Sequence, residues 1–313
     1  MAFSKNIWIT GASSGIGEAL AMQWAVPGAT IILSGLEKEQ LEPVAQKCIQ
    51  KGAQVHIIPF NLTKEEEITE AVNRVQILVP KIDILANVGG IGQRSLIIDT
   101  PDAVSRKIME TDFWGHATLS SKILPFMVKT GGGTIVVMSS LSGLFGFPQR
   151  SMYCAAKHAL HGFFETLRLE HHKDHINVLM VCPGRVKTNF SFGALTSTGG
   201  THGQMDKGQA NGVSVEYCAR KIDKAVKKNK KQILVGKKEL LMPYLKRFAP
   251  WLFYWIALRI IRTPDLIFRL MKSGIGTRNT IIQLNSKFNF ASYNEPSNNK
   301  WNTATGNRGK KRC

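Results

Sequence analysis

An α/β fold built on a doubly wound, mostly parallel sheet of seven strands is what this sequence predicts, and three observations carry it. Over residues 1–190, short apolar runs rich in Val and Ile alternate with longer stretches whose apolar residues recur at helical spacing. A glycine-rich turn, Thr10-Gly-Ala-Ser-Ser-Gly-Ile-Gly17, directly follows the first of those runs. The charge is divided: residues 1–200 carry 18 Lys and Arg against 16 Asp and Glu, a net of +2, while residues 201–313 carry 23 against 6, a net of +17. A near-neutral domain followed by a basic extension is therefore expected. A chain of 313 residues can bury a large core, and 43% hydrophobic with 20% charged residues is ordinary for a globular protein.

In chain order, the predicted strands are Asn6–Thr10, Thr30–Ser34, Gln54–Pro59, Ile82–Asn87, Gly133–Ser139 and Asn177–Cys182, with a seventh at Gln232–Gly236. Helical patterns fill Gly15–Val26, Glu39–Lys51 and Glu65–Val79, and a basic helix over Val215–Lys231 precedes the last strand. Strands alternating with helices imply βαβ crossovers, which bury both faces of a parallel sheet. Thr188–Gly212 departs from this pattern, with six glycines among Ser, Thr and Asn. Such a stretch after a strand reads as a mobile lid over a substrate, or as an ordinary surface loop.

Leu240–Ile261 is aromatic and flanked by Lys246, Arg247, Arg259 and Arg262. Its longest uncharged run, Phe248–Leu258, has eleven residues, too few to span a bilayer. A helix lying in a membrane interface fits this pattern, and so does a helical pair packed on a substrate pocket or subunit interface. The expected organisation is a nucleotide-binding catalytic domain over 1–240, a helical aromatic and basic extension over 241–285, and a disordered Asn- and Lys-rich tail over 286–313. No nucleic-acid-binding signature accompanies the basic charge, so nucleic acid is the least expected partner. The five cysteines are scattered, odd in number and without ligand spacing, and the first core strand begins at residue 6. A reduced intracellular chain without a secretory leader is expected, cytoplasmic or peripheral to a membrane. His158, His161, His171, His172 and His175 fall on or just after one helix without a zinc-like ligand arrangement, so no metal is expected.

Gly11, Gly15 and Gly17 follow a strand and open a helix, where backbone N–H groups and the helix N-terminus favour a pyrophosphate. This is the setting of a Rossmann-type dinucleotide site. Tyr153 and Lys157 stand four apart, so on a helix they share a face, with Ser140 thirteen residues upstream of Tyr153. An ammonium beside a phenol favours phenolate, which predicts a Tyr153 pKa lowered from about 10 toward working pH. Tyr153 could then give a proton to a carbonyl oxygen as hydride arrives, or take one from an alcohol.

The glycine spacing, Asn87-Val-Gly-Gly90, Ser140 with Tyr153-Cys-Ala-Ala-Lys157, and Pro183-Gly-Arg-Val-Lys-Thr188 together resemble the short-chain dehydrogenase/reductase family over about residues 5–240. Gly90-Ile-Gly-Gln93-Arg94-Ser95-Leu and the residues around Tyr153 look most like its dehydrogenase/reductase member-7 subgroup. The resemblance implies Ser140 holding the substrate oxygen, Lys157 holding the nicotinamide ribose, and Asp112 at the fourth catalytic position, usually Asn. There the family uses a helix kink and a main-chain carbonyl that holds a water. An Asp keeps that carbonyl, loses the amide donor and adds charge near Lys157, so activity is either reduced or unchanged.

Cofactor contacts are implied for the turn residues Ser13, Ser14 and Ile16 between the glycines, for Ser34 after the second strand, and for Asn61 with Leu62 at the adenine. Asn87, Pro183, Val186 and Thr188 are implied at the nicotinamide end, with Tyr153 and Lys157. Asn61 replaces a common Asp, and its amide oxygen can still accept. Val88 replaces a second Asn. Ser34-Gly-Leu-Glu-Lys38 lacks an acid at Gly35 and offers Ser34 and Lys38 to a 2′-phosphate, which favours NADP(H) over NAD(H). The function expected is oxidoreduction between a ketone or aldehyde and an alcohol on a small apolar substrate, steroid-, retinoid- or lipid-like, by a homo-oligomer. The competing expectation is a catalytically weak nucleotide-binding sensor or membrane-peripheral scaffold.

Overall fold

The computed structural model describes residues 5–262. Its strands are β1 (Asn6–Thr10), β2 (Thr30–Ser34), β3 (Gln54–Ile57), β4 (Ile84–Asn87), β5 (Gln93–Arg94), β6 (Gly133–Met138), β7 (Ile176–Pro183), β8 (Leu195–Thr196) and β9 (Gln232–Val235). Seven of them form one sheet in the order β3-β2-β1-β4-β6-β7-β9, and every neighbouring pair is parallel. The short β5 and β8 pair separately. The helices are α1 (Gly15–Trp24), α2 (Lys38–Gln50), α3 (Glu65–Leu78), α4 (Asp102–Met109), α5 (Gly115–Lys129) and α6 (Ser151–Glu170), then α7 (Lys207–Ala210), α8 (Val215–Lys227), α9 (Leu241–Phe248) and α10 (Pro250–Arg262).

Strand alternation divides the core into two layers. Ile7, Ile9, Ile31 and Leu33 pack on the side of α1, α2 and α8, while Trp8, Ile32, Leu85, Ile135 and Val137 pack on the side of α3, α5 and α6. The chain order reverses at β1, between β2 and β4, and the carboxyl ends of β1 and β4 open the crevice where such folds take their ligands.

Contacts gather Met1–Trp255 into one compact unit and assign Ile256–Cys313 to a second, of which residues 256–262 are described. The tail predicted over 286–313, and the extension beyond 262, lie outside the described residues. The aromatic stretch forms two helices, parted at Ala249 (φ −143°, ψ 65°), because the residue before a proline avoids the helical region. Among the described residues, no helix is long and apolar enough to cross a membrane. Phe253 is buried and packs edge-on against Phe145, ring centroids 5.2 Å apart, in the segment that leads from β6 to α6.

Candidate active site

The turn between β1 and α1 bends through the left-handed region at Gly11 (φ +62°) and Gly15 (φ +59°). A Cβ on Gly11 would lie 2.6 Å from the Gly89 Cα, and one on Gly17 would collide with the Gly11 carbonyl. The turn can therefore lie flat against Val88-Gly89 only as glycine. Ser14 precedes α1 without a side-chain cap, so the first-turn N–H groups remain to meet anionic oxygens, and Ser13 and Ile16 line the same bend half-buried. The Thr188 methyl stands over Gly15. These residues fit a dinucleotide pyrophosphate.

Two cofactor expectations change. Ser34 lies on the Trp8 side of the sheet, is 1% exposed and accepts the Trp8 indole N–H at 2.8 Å, so its hydroxyl does not face a 2′-phosphate. The period of two along β2 turned it inward. Only Leu36, Glu37 and Lys38 are exposed there. The Asn61 Oδ1 accepts from Thr63 N and Oγ1, each at 2.9 Å, so both lone pairs serve the local turn. Leu62 packs against Gly89 and Gly115, and a Cβ on Gly115 would meet the Leu62 carbonyl oxygen at 2.5 Å.

Asn87 ends β4 fully buried and donates to Ser120 Oγ at 2.8 Å. Pro183 closes β7 and receives the Ser140 hydroxyl at 3.5 Å, while Val186 is buried against Val213. Ser140 and Ser139 part company where β6 ends. Ser139 donates inward to the Lys157 carbonyl at 3.2 Å and meets His161, whereas Ser140 turns to the other side and lies close enough to the Tyr153 phenol to pull its pKa down.

Tyr153 and Lys157 share the buried face of α6, with the ammonium 5.5 Å from the ring centroid. Lys157 donates to the Met138 carbonyl at 3.2 Å and forms an ion pair with Asp112 Oδ2, also at 3.2 Å. Both side chains are sealed from solvent, at 3% and 0% exposure. Asp112 sits in a π-helical turn, Glu110–Trp114, between α4 and α5, the kind of kink that places a functional group out of helical register. Its Oδ1 accepts the Ile91 N–H at 2.7 Å. Burial raises the Asp112 carboxyl pKa, against the pull of Lys157 and Ile91.

The expected lowering of the Tyr153 pKa is not what the protein alone produces. Burial raises it, Lys157 opposes, and Asp112 adds to the rise. Spacing revealed the helpful lysine and the resemblance put the Asp112 charge near it, but neither revealed the desolvation.

A profile of short chain dehydrogenases matches residues 5–195 of this chain, well over half its length. The chain belongs to the short-chain dehydrogenase/reductase family. It is an oxidoreductase of CH–OH groups with an NAD(P)-binding fold. It is 38% identical over 253 residues to dehydrogenase/reductase SDR family member 7B of Xenopus tropicalis, covering 79% of this chain and 82% of that one. To the human dehydrogenase/reductase SDR family member 7 it is 35% identical, covering 80% and 76%. Among solved structures, a short-chain dehydrogenase/reductase from Burkholderia phymatum in complex with NAD superposes with a TM-score of 0.71 at 20% identity, over 80% of this chain and 95% of that one.

This short-chain dehydrogenase/reductase also depends on residues the motifs did not single out. Gln93 is fully buried, and its Oε1 accepts the Met152 and Tyr153 N–H groups at 2.9 and 3.3 Å. Its amide nitrogen lies 3.1–3.2 Å from the hydroxyls of Ser95, Thr100 and Ser151, which share its two N–H groups. A side chain some sixty residues upstream thus caps α6, whose own N-cap residue, Arg150, makes no side-chain cap. Gln93→Leu should lower kcat about tenfold or more while leaving cofactor affinity near wild type, because it frees the Tyr153 end of α6 and leaves buried N–H groups unmet. Unchanged kcat with a lowered Tm would show a purely structural cap.

Asp112, His116 and Ser120 form a second such device. Spaced by four along one buried helix face, they meet Ile91 N–H, the Gly89 carbonyl at 2.6 Å and Asn87, so one helix grips the whole Asn87–Ile91 segment. His116 is held neutral, its pKa pushed down to about 3 by burial and then by Lys157. The polar period of four was visible in the sequence, but only its burial gives it meaning. The glycine-rich segment after Thr188 is tied down as well. Its Asp206 accepts from both Arg94 and Arg150, Gln209 donates to Thr188 at 2.7 Å, and Phe190 leans on Tyr153 with ring centroids 5.8 Å apart.

Proposed function

We propose that the protein interconverts a ketone or aldehyde and an alcohol on an apolar small molecule, with NADP(H) favoured over NAD(H) and Tyr153 as the general acid and base. The observation that carries this reading is the meeting of Tyr153 with Ser140 above a buried Lys157, in a wall of Ile91, Val104, Ile108, Met152, Phe190 and Leu195. In that surrounding, Ser140 orients a substrate oxygen and Tyr153 passes it a proton. The nicotinamide would supply or take up the hydride. Lys157 would hold its ribose, and the turn at Gly11–Gly17 its pyrophosphate.

Apolar ground also lies at the start of α6. A cavity of about 510 Å³ is lined by Leu96, Ile97, Ile98, Phe147 and Pro148 together with Ser151 and Cys154, chain neighbours of Tyr153. This supports a steroid-, retinoid- or lipid-like substrate. The segment from Thr188 to Gly212 would act as its lid, opening at the Asp206 contacts. Exposed Trp114, ending the π-helical turn before α5, and exposed Leu169 on α6 support self-association, as is frequent for this fold.

The NADP(H) preference rests on the lack of an acid at Gly35 and Leu36 and on the exposed ammonium of Lys38. Glu37 stands against it. Fluorescence titration with both reduced nucleotides should find NADPH at least tenfold tighter; the reverse order would overturn the preference. A second reading, nucleotide binding with weak turnover, draws on the Asp112 carboxylate that neutralises Lys157. Turnover of a panel of apolar ketones, followed by NADPH absorbance, decides between them.

A further inference from the structure

The basic extension is not spread evenly over the surface. On α8, Cys218, Ala219, Ile222, Ala225 and Val226 face the core. Lys221, Lys224 and Lys228, at intervals of three and four, therefore form a cationic stripe on the outer face. Across from them stand Lys230 and, from α9, Lys246 and Arg247, and together the six line one groove of about 1320 Å³. No carboxylate lines it; the nearby Asp223 is committed to Lys227 and to the Trp24 indole. Six cations held together without an anion repel one another, a cost that a partner carrying several negative charges relieves.

The groove's rim identifies that partner further. Leu241, Tyr244 and Phe248 follow one face of α9 and are 59%, 55% and 80% exposed. Tyr244 and Phe248 line the groove itself. Lys246 lies 4.2 Å from the ring centroid of Tyr254 and also donates to its hydroxyl, which fixes a cation beside this aromatic edge. Clustered cations beside exposed aliphatic and aromatic side chains on a short helix suit a lipid interface, where phosphates meet the cations and the apolar rim enters the headgroup layer. The exposed apolar rim with Leu241 favours the lipid, since a cationic groove alone would serve a nucleic-acid backbone.

We infer that the groove between α8 and α9 is a docking surface for a lipid bilayer bearing anionic headgroups, with Tyr244 and Phe248 entering the interface. The inference is independent of the catalytic reading, since its test needs no turnover. Full-length protein is floated with vesicles of phosphatidylcholine alone and of phosphatidylcholine mixed with phosphatidylserine. Binding is expected to the mixed vesicles only, and to weaken as salt rises. Lys224→Gln with Lys228→Gln should weaken it on the order of fivefold per lysine. Phe248→Ser should weaken it several-fold more, with Tm unchanged for all variants.

Equal binding to neutral vesicles would overturn the inference. Undiminished binding by the lysine double variant would also overturn it, by assigning the attraction to basic residues elsewhere in the chain. So would retention on duplex DNA at a salt concentration that releases the mixed vesicles.

Discussion

Tyr153→Phe is expected to lower kcat for ketone reduction by roughly 10²–10⁴-fold, about 3–5 kcal/mol of barrier, with NADPH affinity within about twofold of wild type. The ring is 7% exposed and packs against Phe190, so removing the hydroxyl disturbs little but the proposed proton donor. Initial rates by NADPH absorbance, with nucleotide binding measured separately, give the result; full turnover by the variant would remove Tyr153 from the chemistry. The raised phenol pKa also fixes a pH dependence. Reduction needs the protonated phenol, so its rate should hold through neutral pH and fall as pH rises through the phenol pKa. Oxidation needs phenolate and should climb over the same range.

Asp112 carries the second large effect. Asp112→Leu leaves Lys157 buried without an anion and should cost about 3–5 kcal/mol of unfolding free energy. Asp112→Asn keeps the shape and the acceptor for Ile91 while removing the charge. Since Asp112 raises the Tyr153 pKa, that variant should shift the rising limb of the oxidation rate toward lower pH. A purely structural role would leave the limb in place. Stability carries its own signature. The folded carboxyl pKa lies above its unfolded value, so the folded state binds the extra proton between the two. Wild type should therefore lose stability relative to Asp112→Asn as pH rises from the ordinary carboxylate range through the folded pKa. Equilibrium denaturation across pH measures this, and an opposite slope would show that the ion pair with Lys157 outweighs the burial.

Much of the site was legible because its parts are local in the chain. The glycine turn is a run of eight residues, and Tyr153 and Lys157 need only helical spacing to face together. The resemblance pointed to Ser140, thirteen residues before Tyr153, and the structure turns its hydroxyl apart from that of Ser139 as strand geometry demands. Ser34 misled because its position in the chain was right while its face was not. Gln93 was quoted only for its likeness to relatives, since nothing in its neighbours says that its amide ends at a helix sixty residues on. The same holds for the groove between α8 and α9, whose lysines read only as a basic helix until α9 is placed beside them.

The sequence by itself determined the order of strands and helices, the glycine turn after β1 and the placing of Tyr153 and Lys157 on one face of α6, because periodicity and short-range stereochemistry decide those. Only the tertiary structure decided what Asp112 does. Its charge matters through a distance to Lys157 and through the loss of water around both, and burial and proximity between distant segments exist only once the chain has packed.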